Sequence, residues 1–327
     1  MNTIAITDIA GFKIGQVEDV AGATGVTAII REQGMAAGID VRGGGPASRD
    51  TRTLDPLAAA ERIHAVLLAG GSAFGLDAAG GAMRYLEERG IGVEVGPAHV
   101  PIVCQSDIFD LLVGDPSARP DAEMGYAACA NAETGNYRDG NYGAGCGATV
   151  GKACGPEFCM KSGIGSFAVQ VGDVQVGAIV VVNAIGDVSD PASGKTVAGL
   201  LAEDGNSFRS TAEVLYDLAE KAAAAKSDVV TNTTIGAILT NANLTKAQLC
   251  KVAGMGHDGL ARTIRPVHTS MDGDSLYALS TCEVEADTDL VGMLAADVVA
   301  QAILAAVRSA QDAYGLPCAE TVAQRNE

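Results

Sequence analysis

Two short stretches of this 327-residue chain carry side chains whose types and spacing could do chemistry. In the first, the polar cluster Thr231-Asn232-Thr233-Thr234 runs straight into the apolar residues 235–239. Threonine has one special route to nucleophilicity. If the peptide bond before it is cut, its own α-amino group becomes the general base, with a pKa of about 7.7–8.0. No imported histidine is then needed; His64, His257 and His268 lie near candidate elements, and none has an evident Ser or Cys partner. In the second stretch, HTSMDGDSLYALST (268–281), Asp272 and Asp274 flank Gly273 just before an apolar run. Residues two apart on an extended chain point to the same side, so both carboxylates can share one site. Two close carboxylates cannot both ionise freely, so one pKa rises and that group becomes a proton carrier. Asp-Gly is also ordinary turn chemistry. The threonines suit a helix-to-strand turn as well as a self-cleaving precursor, and spacing does not separate the two.

These residues need elements to hold them. Residues 25–32 and 36–41 read as strands, stopped by Arg42-Gly43-Gly44-Gly45-Pro46. A short buried strand over 65–69 turns at Gly70-Gly71-Ser72 into a helical pattern over 73–90, where Phe74, Leu76, Ala79, Met83 and Leu86 recur at helical spacing. Gly90 then serves as a C-cap. Strand-Gly-Gly-helix suggests a phosphate loop, but no G-x-G-x-x-G and no Gly-Lys-Ser/Thr follows, so the glycines are read as packing. Residues 133–152 form a long glycine-rich loop of the functional or mobile kind. Residues 166–183 read as a hairpin turning at Gly172-Asp173, with Asn183 ending its second strand. An amphipathic helix over 211–226 is followed by a strand, a helix over 246–263, a strand over 274–281 and a helix over 290–313. The polar 320–327 is expected to fray. Strands followed by packed helices imply an α/β layered sandwich in a single domain spanning 1–327.

Composition narrows the class. Hydrophobic residues make up 48% of the chain, and the 41 glycines exceed the usual share of about 7%. A formal charge of -18 repels phosphate backbones, which argues against nucleic acid and suits substrates bearing an amine. The eight cysteines form no C-x-x-C pair, and Cys146, Cys154 and Cys159 fit no zinc module. As an EF-hand the Asp272 stretch fails, with Leu276 at the fifth position and Tyr277 where glycine is required. Neither metal nor cofactor is expected. The start lacks a signal-peptide pattern and no apolar run reaches the roughly 20 residues of a membrane span, so a reduced cytoplasmic protein is expected.

The stretches TNTTIGAILTNANLT (231–245) and HTSMDGDSLYALST, together with VRGGGP (41–46), LLAGGSAFGLDAAGGAM (67–83), GAGCGATVGK (143–152) and AIVVVNAIGDV (178–188), resemble the autoprocessed N-terminal-nucleophile hydrolases of the DmpA type. They occur in family order over nearly the whole chain. The Asn-Thr-Thr-Ile and Asp-Gly-Asp forms are most similar to the nylon-oligomer hydrolase (NylC) branch. The resemblance implies an αββα sandwich that cuts itself between Asn232 and Thr233, leaving an α chain of 1–232 and a β chain of 233–327. It makes Thr233 the nucleophile, Asp272 and Asp274 the acidic pair that activates it, Lys152 a lysine beside it and Asn183 the amide donor to the oxyanion. Phe109 stands where many relatives carry a tyrosine that positions substrate or oxyanion. The implied activity is hydrolysis of amides of small amine-bearing substrates, in a homo-oligomer, a tetramer of processed αβ units. Two other readings stay open from sequence: an ornithine-acetyltransferase-like acyltransferase, and an unprocessed ligand-binding relative.

Overall fold

The computed structural model describes residues 1–220 and 232–325. Ten strands build its two stacked sheets: β1 (Asn2–Ile4), β2 (Lys13–Asp19), β3 (Thr24–Val41), β4 (Ala47–Arg49), β5 (Ile63–Ala69), β6 (Val103–Asp107), β7 (Ile164–Val171), β8 (Val174–Asn183), β9 (Thr233–Ala242) and β10 (Ser275–Val284). The helices are α1 (Ala78–Glu87), α2 (Ala122–Ala132), α3 (Thr211–Glu220), α4 (Lys246–Thr263), α5 (Thr288–Arg308) and α6 (Ala319–Arg325). The 18-residue β3 belongs to both sheets. Its first half pairs with β2 and β5, and its second half pairs with β10. One sheet runs β1-β7-β8-β9-β10-β3, the other β2-β3-β5-β6-β4.

Side-chain alternation makes the layers. Along β9, Ile235, Ala237 and Leu239 enter the core between the sheets, while Ile238 and Ala242 pack under α4 and α5. Along β5, Val66 and Leu68 face between the sheets, and Ala65, Leu67 and Ala69 pack under α1 and α2. The order is therefore helices, sheet, sheet, helices: an αββα sandwich. Two parallel pairs, β9 with β10 and β5 with β6, are each joined by a crossover that includes a helix, α4 and α1.

The hairpin forms with Val171 opposite Val174 and Gly172 at φ 60, a value that suits glycine. Helix α4 spans 246–263 as its pattern implies, opened by a capping box of Thr245 and Gln248. Gly71 lies at φ 82, and its N–H donates to Asp110 Oδ1 at 2.7 Å. A protein carboxylate thus fills the turn that a phosphate loop would offer, which agrees with the packing reading.

Several expectations need correction. Helix α1 begins only at Ala78, after a 3-10 stretch (Ser72–Asp77), and Phe74 is exposed with Arg119 over its ring. Of the helix over 211–226, residues 221–226 lie outside the described residues. Helix α5 stops at Arg308 rather than 313. It is long and apolar enough, by length and composition, to cross a membrane, so such a run does exist in the chain. Most of it is buried against α4, β7 and β8, which makes it a core helix. The polar tail does not fray over 319–325: α6 forms because Ala319 and Val322 dock on the core. The glycine-rich loop is exposed at its start, at 133–135, and enters the core further on. Residues 143–150 are buried, and a Cβ on Gly147 would stand 2.0 Å from Ala23 O. Only glycine permits that approach.

Candidate active site

The site is assembled where strands from one sheet end beside loops from the other. Thr233 opens β9 directly opposite Asn183, the last residue of β8. Cross-strand partners share a face, so both side chains lie on the side of Ile235, Val181 and Ile179, between the sheets. Asn232 forms a parallel bridge with Asp272, and Gly273 N–H donates to Asn232 O at 3.0 Å. The Thr233 hydroxyl donates to the same carbonyl oxygen. Thr233, Asn183, Asp272 and Asp274 are all buried, at 3%, 0%, 2% and 1% exposure. Thr231 lies outside the described residues.

Each carboxylate is held by a different part of the preceding loop. Asp274 Oδ1 accepts from the Thr234 amide at 2.6 Å, and its Oδ2 accepts from His268 N at 3.1 Å and lies 2.7 Å from His268 Nδ1. Asp272 Oδ2 accepts from the Thr269 amide at 2.7 Å and from its hydroxyl at 2.6 Å. Burial first, then the neighbouring Asp274 charge, pushes the Asp272 carboxyl above its ordinary value; the Thr269 bonds oppose this. Asp272 and Asp274 thus lie close enough for their charges to interact. The roles of His268 and Thr269 were not read from sequence. Both lie within six residues of the pair, but their contacts depend on a loop in which His268 adopts φ 58.

Lys152 arrives from the end of the buried glycine-rich loop. Its Nζ donates to Asn183 O at 2.9 Å and to Asn183 Oδ1 at 2.7 Å. Its amine is withdrawn from water, which lowers its pKa to about 7 against the opposing pull of Cys159, Asp272 and Asp110. Asn183 Oδ1 also accepts from Thr149 N at 3.1 Å, and its Nδ2 donates to Phe109 O at 2.9 Å. One N–H of the Asn183 amide is thus engaged with the Phe109 backbone, and the amide nitrogen carries a second N–H. Phe109, after β6, joins Leu112, Val113, Thr149, Lys152 and Leu316 in lining a cavity of about 440 Å³. Hydrogen bonds join Phe109, Asn183 and Lys152 beside this cavity, Asn183 pairs with Thr233 across β8 and β9, and Asn232 bridges Asp272. Among the described residues no cluster of three or more His, Cys, Asp or Glu could hold a metal ion.

Two stacked sheets covered by helices, with an amine, an amide and a carboxylate pair gathered at the adjoining ends of β8, β9 and β10, are the fold and site of an amide-bond hydrolase. The chain belongs to peptidase family S58, whose model matches residues 4–321. It is 39% identical to an uncharacterized aminopeptidase of Mycobacterium leprae (strain TN), over 96% of this chain and 92% of that one. It is 30% identical to the 6-aminohexanoate-oligomer endohydrolase of Kocuria sp. (strain KY2), over 92% and 85%. The solved L-aminopeptidase D-Ala-esterase/amidase of Ochrobactrum anthropi, a variant of the Ntn hydrolase fold, is similar with a TM-score of 0.69 at 19% identity, over 96% of this chain and 88% of that one.

Proposed function

We propose that this hydrolase is made as a precursor that cuts itself between Asn232 and Thr233 and then uses the freed Thr233 as its nucleophile. The observation that carries this reading is the environment of one carbonyl. Asn232 O accepts from Gly273 N–H, and the Thr233 hydroxyl touches it. Attack of Thr233 Oγ on the Asn232 carbonyl carbon moves charge onto that oxygen, where the Gly273 amide stabilises it. The C–N bond then breaks, the nitrogen takes a proton, and the chain is joined through an ester. Water hydrolyses the ester, leaving a carboxylate on Asn232 and a free amine on Thr233. Two buried atoms flanking this bond, Asn232 Oδ1 and Thr234 Oγ1, have no hydrogen-bond partner among the described residues. Such orphans cost about 1–3 kcal/mol each, which cleavage relieves if Asn232 gains access to water.

In turnover the Thr233 amine takes the proton from its own hydroxyl, the oxygen attacks the substrate carbonyl carbon, the C–N bond breaks as that proton passes to the leaving amine, and water hydrolyses the resulting ester. Substrates are small peptides or amides bearing a free ammonium group, nylon-type oligomers among them. Phe109, Leu112, Val113 and Leu316 form an apolar wall for an aliphatic acyl chain, and Glu157 adds a carboxylate to the same cavity. The working form is a cytoplasmic homo-oligomer, a tetramer of α (1–232) and β (233–327) units. Intact-mass measurement and N-terminal sequencing test the reading together. The smaller fragment is expected to begin Thr-Thr-Ile-Gly. A chain that stays whole at 33.0 kDa after long incubation would instead support an unprocessed ligand-binding protein.

Lys152 supplies a pH test. Its amine titrates at about 7, and the neutral form has a lone pair to accept a proton. As pH rises through 7 the neutral fraction grows, so self-cleavage should accelerate across that range. Lys152→Met should abolish the rise and slow cleavage by about 10²–10⁴-fold. A pH–rate profile followed by intact mass reads both effects; an unchanged slope in the variant would remove Lys152 from proton transfer.

A further inference from the structure

We propose that His268 is a positioning residue of this site: it clamps Asp274 so that the carboxylate holds the backbone on which Thr233 sits. The inference rests on the preceding functional reading and adds a residue to it. Asp274 Oδ2 is contacted twice by one residue, by the His268 amide at 3.1 Å and by the ring Nδ1 at 2.7 Å. The other oxygen, Oδ1, takes the amide of Thr234 at 2.6 Å. An ionised carboxylate only accepts, so with two amides already donating to it, Nδ1 carries the proton and donates. Charge-assisted bonds of this kind are the strong ones. The chain of contacts therefore runs from the imidazole through the carboxylate to the residue next to the nucleophile.

The clamp is built at some cost. His268 adopts φ 58, a left-handed conformation uncommon for a residue with a side chain. Surrounding contacts must offset it. The backbone N–H and ring Nδ1 reach one carboxylate oxygen together in this conformation. The ring is wedged in place by His257, which meets it edge-on with centroids 4.7 Å apart. His257 is itself fully buried, and its Nε2 lies 3.0 Å from Asp40 O. His268 Nε2 is buried with no partner among the described residues, so the ring's visible polar contact is the one to Asp274. A histidine that merely filled space would need neither the left-handed backbone nor the alignment on an active-site carboxylate.

The test uses three substitutions in the full chain. Asparagine places an amide N–H where Nδ1 stood, glutamine places it one carbon further out, and alanine supplies none. Self-cleavage is followed by intact mass, and kcat and KM are measured on processed protein with an aminoacyl p-nitroanilide that the wild type hydrolyses. His268→Ala and His268→Gln should lower both the cleavage rate and kcat by about 10–100-fold with KM within about threefold, the scale typical of outer-shell partners. His268→Asn should recover to within about threefold of wild type. Full activity in the alanine variant overturns the inference, as does equal activity of the asparagine and glutamine variants. If alanine prevents folding, the comparison of the two amides decides alone. A wild-type chain that neither cleaves itself nor hydrolyses the anilide overturns the functional reading first, and the positioning role with it.

Discussion

Replacing Thr233 by alanine should leave one uncut chain of 33.0 kDa and no measurable turnover. The substitution removes the hydroxyl now resting on the Asn232 carbonyl and, because no cut follows, prevents the α-amine from forming. Nucleophile and base are lost in one step. Thr233 is buried and its neighbours pair through backbone bonds, so β9 should still form against β8 and β10. Circular dichroism and thermal melting should therefore be close to wild type, with a modest cost for the lost methyl and hydroxyl contacts. Thr233→Ser keeps a hydroxyl at the same place and should still process, though more slowly. A Thr233→Ala chain that is cut at the same bond would transfer the chemistry to another group, with the buried Thr234 hydroxyl the first to examine.

Asp272→Asn and Asp274→Asn should both impair the enzyme, and by unequal amounts. Asp274 uses both oxygens as acceptors, one for Thr234 and one for His268. An asparagine there offers one acceptor and turns its NH₂ toward a donor, so the loss should approach about 10⁴-fold, with about 1–3 kcal/mol of stability. Asp272 is held at a single oxygen by Thr269. Asparagine can keep that acceptor, so its loss should sit nearer about 10²-fold. The sign of the pH effect follows from the pair. The Asp274 charge helps raise the Asp272 pKa. Removing that charge lowers it, so any acidic limb set by Asp272 moves to lower pH in Asp274→Asn. Turnover should be measured on protein processed beforehand, because one site would serve both reactions. Near-normal rates and unmoved profiles in both variants would reduce the pair to a turn.

Much of this architecture was legible in the chain because it is local. Alternating apolar residues mark β8, β9 and β10, Gly172-Asp173 marks the hairpin turn, and Thr245 with Gln248 marks the start of α4. The threonine cluster and the Asp-Gly-Asp stretch were visible as chemistry, since residue type and spacing suffice for that. What brings them to one place is not a matter of spacing. It depends on the parallel bridge that puts Asp272 beside Asn232, and on the register that puts Asn183 opposite Thr233, partners 40 and 50 residues apart. Register arises when whole strands pair, so no short window contains it. The low pKa of Lys152 has the same origin, because it comes from burial by loops distant in sequence. Docking on the core orders α6, and tertiary contacts bury the loop over 143–150. His268 is the clearest case: it lies six residues from Asp274, yet a left-handed backbone, stable only inside the packed loop, is what brings the ring to the carboxylate.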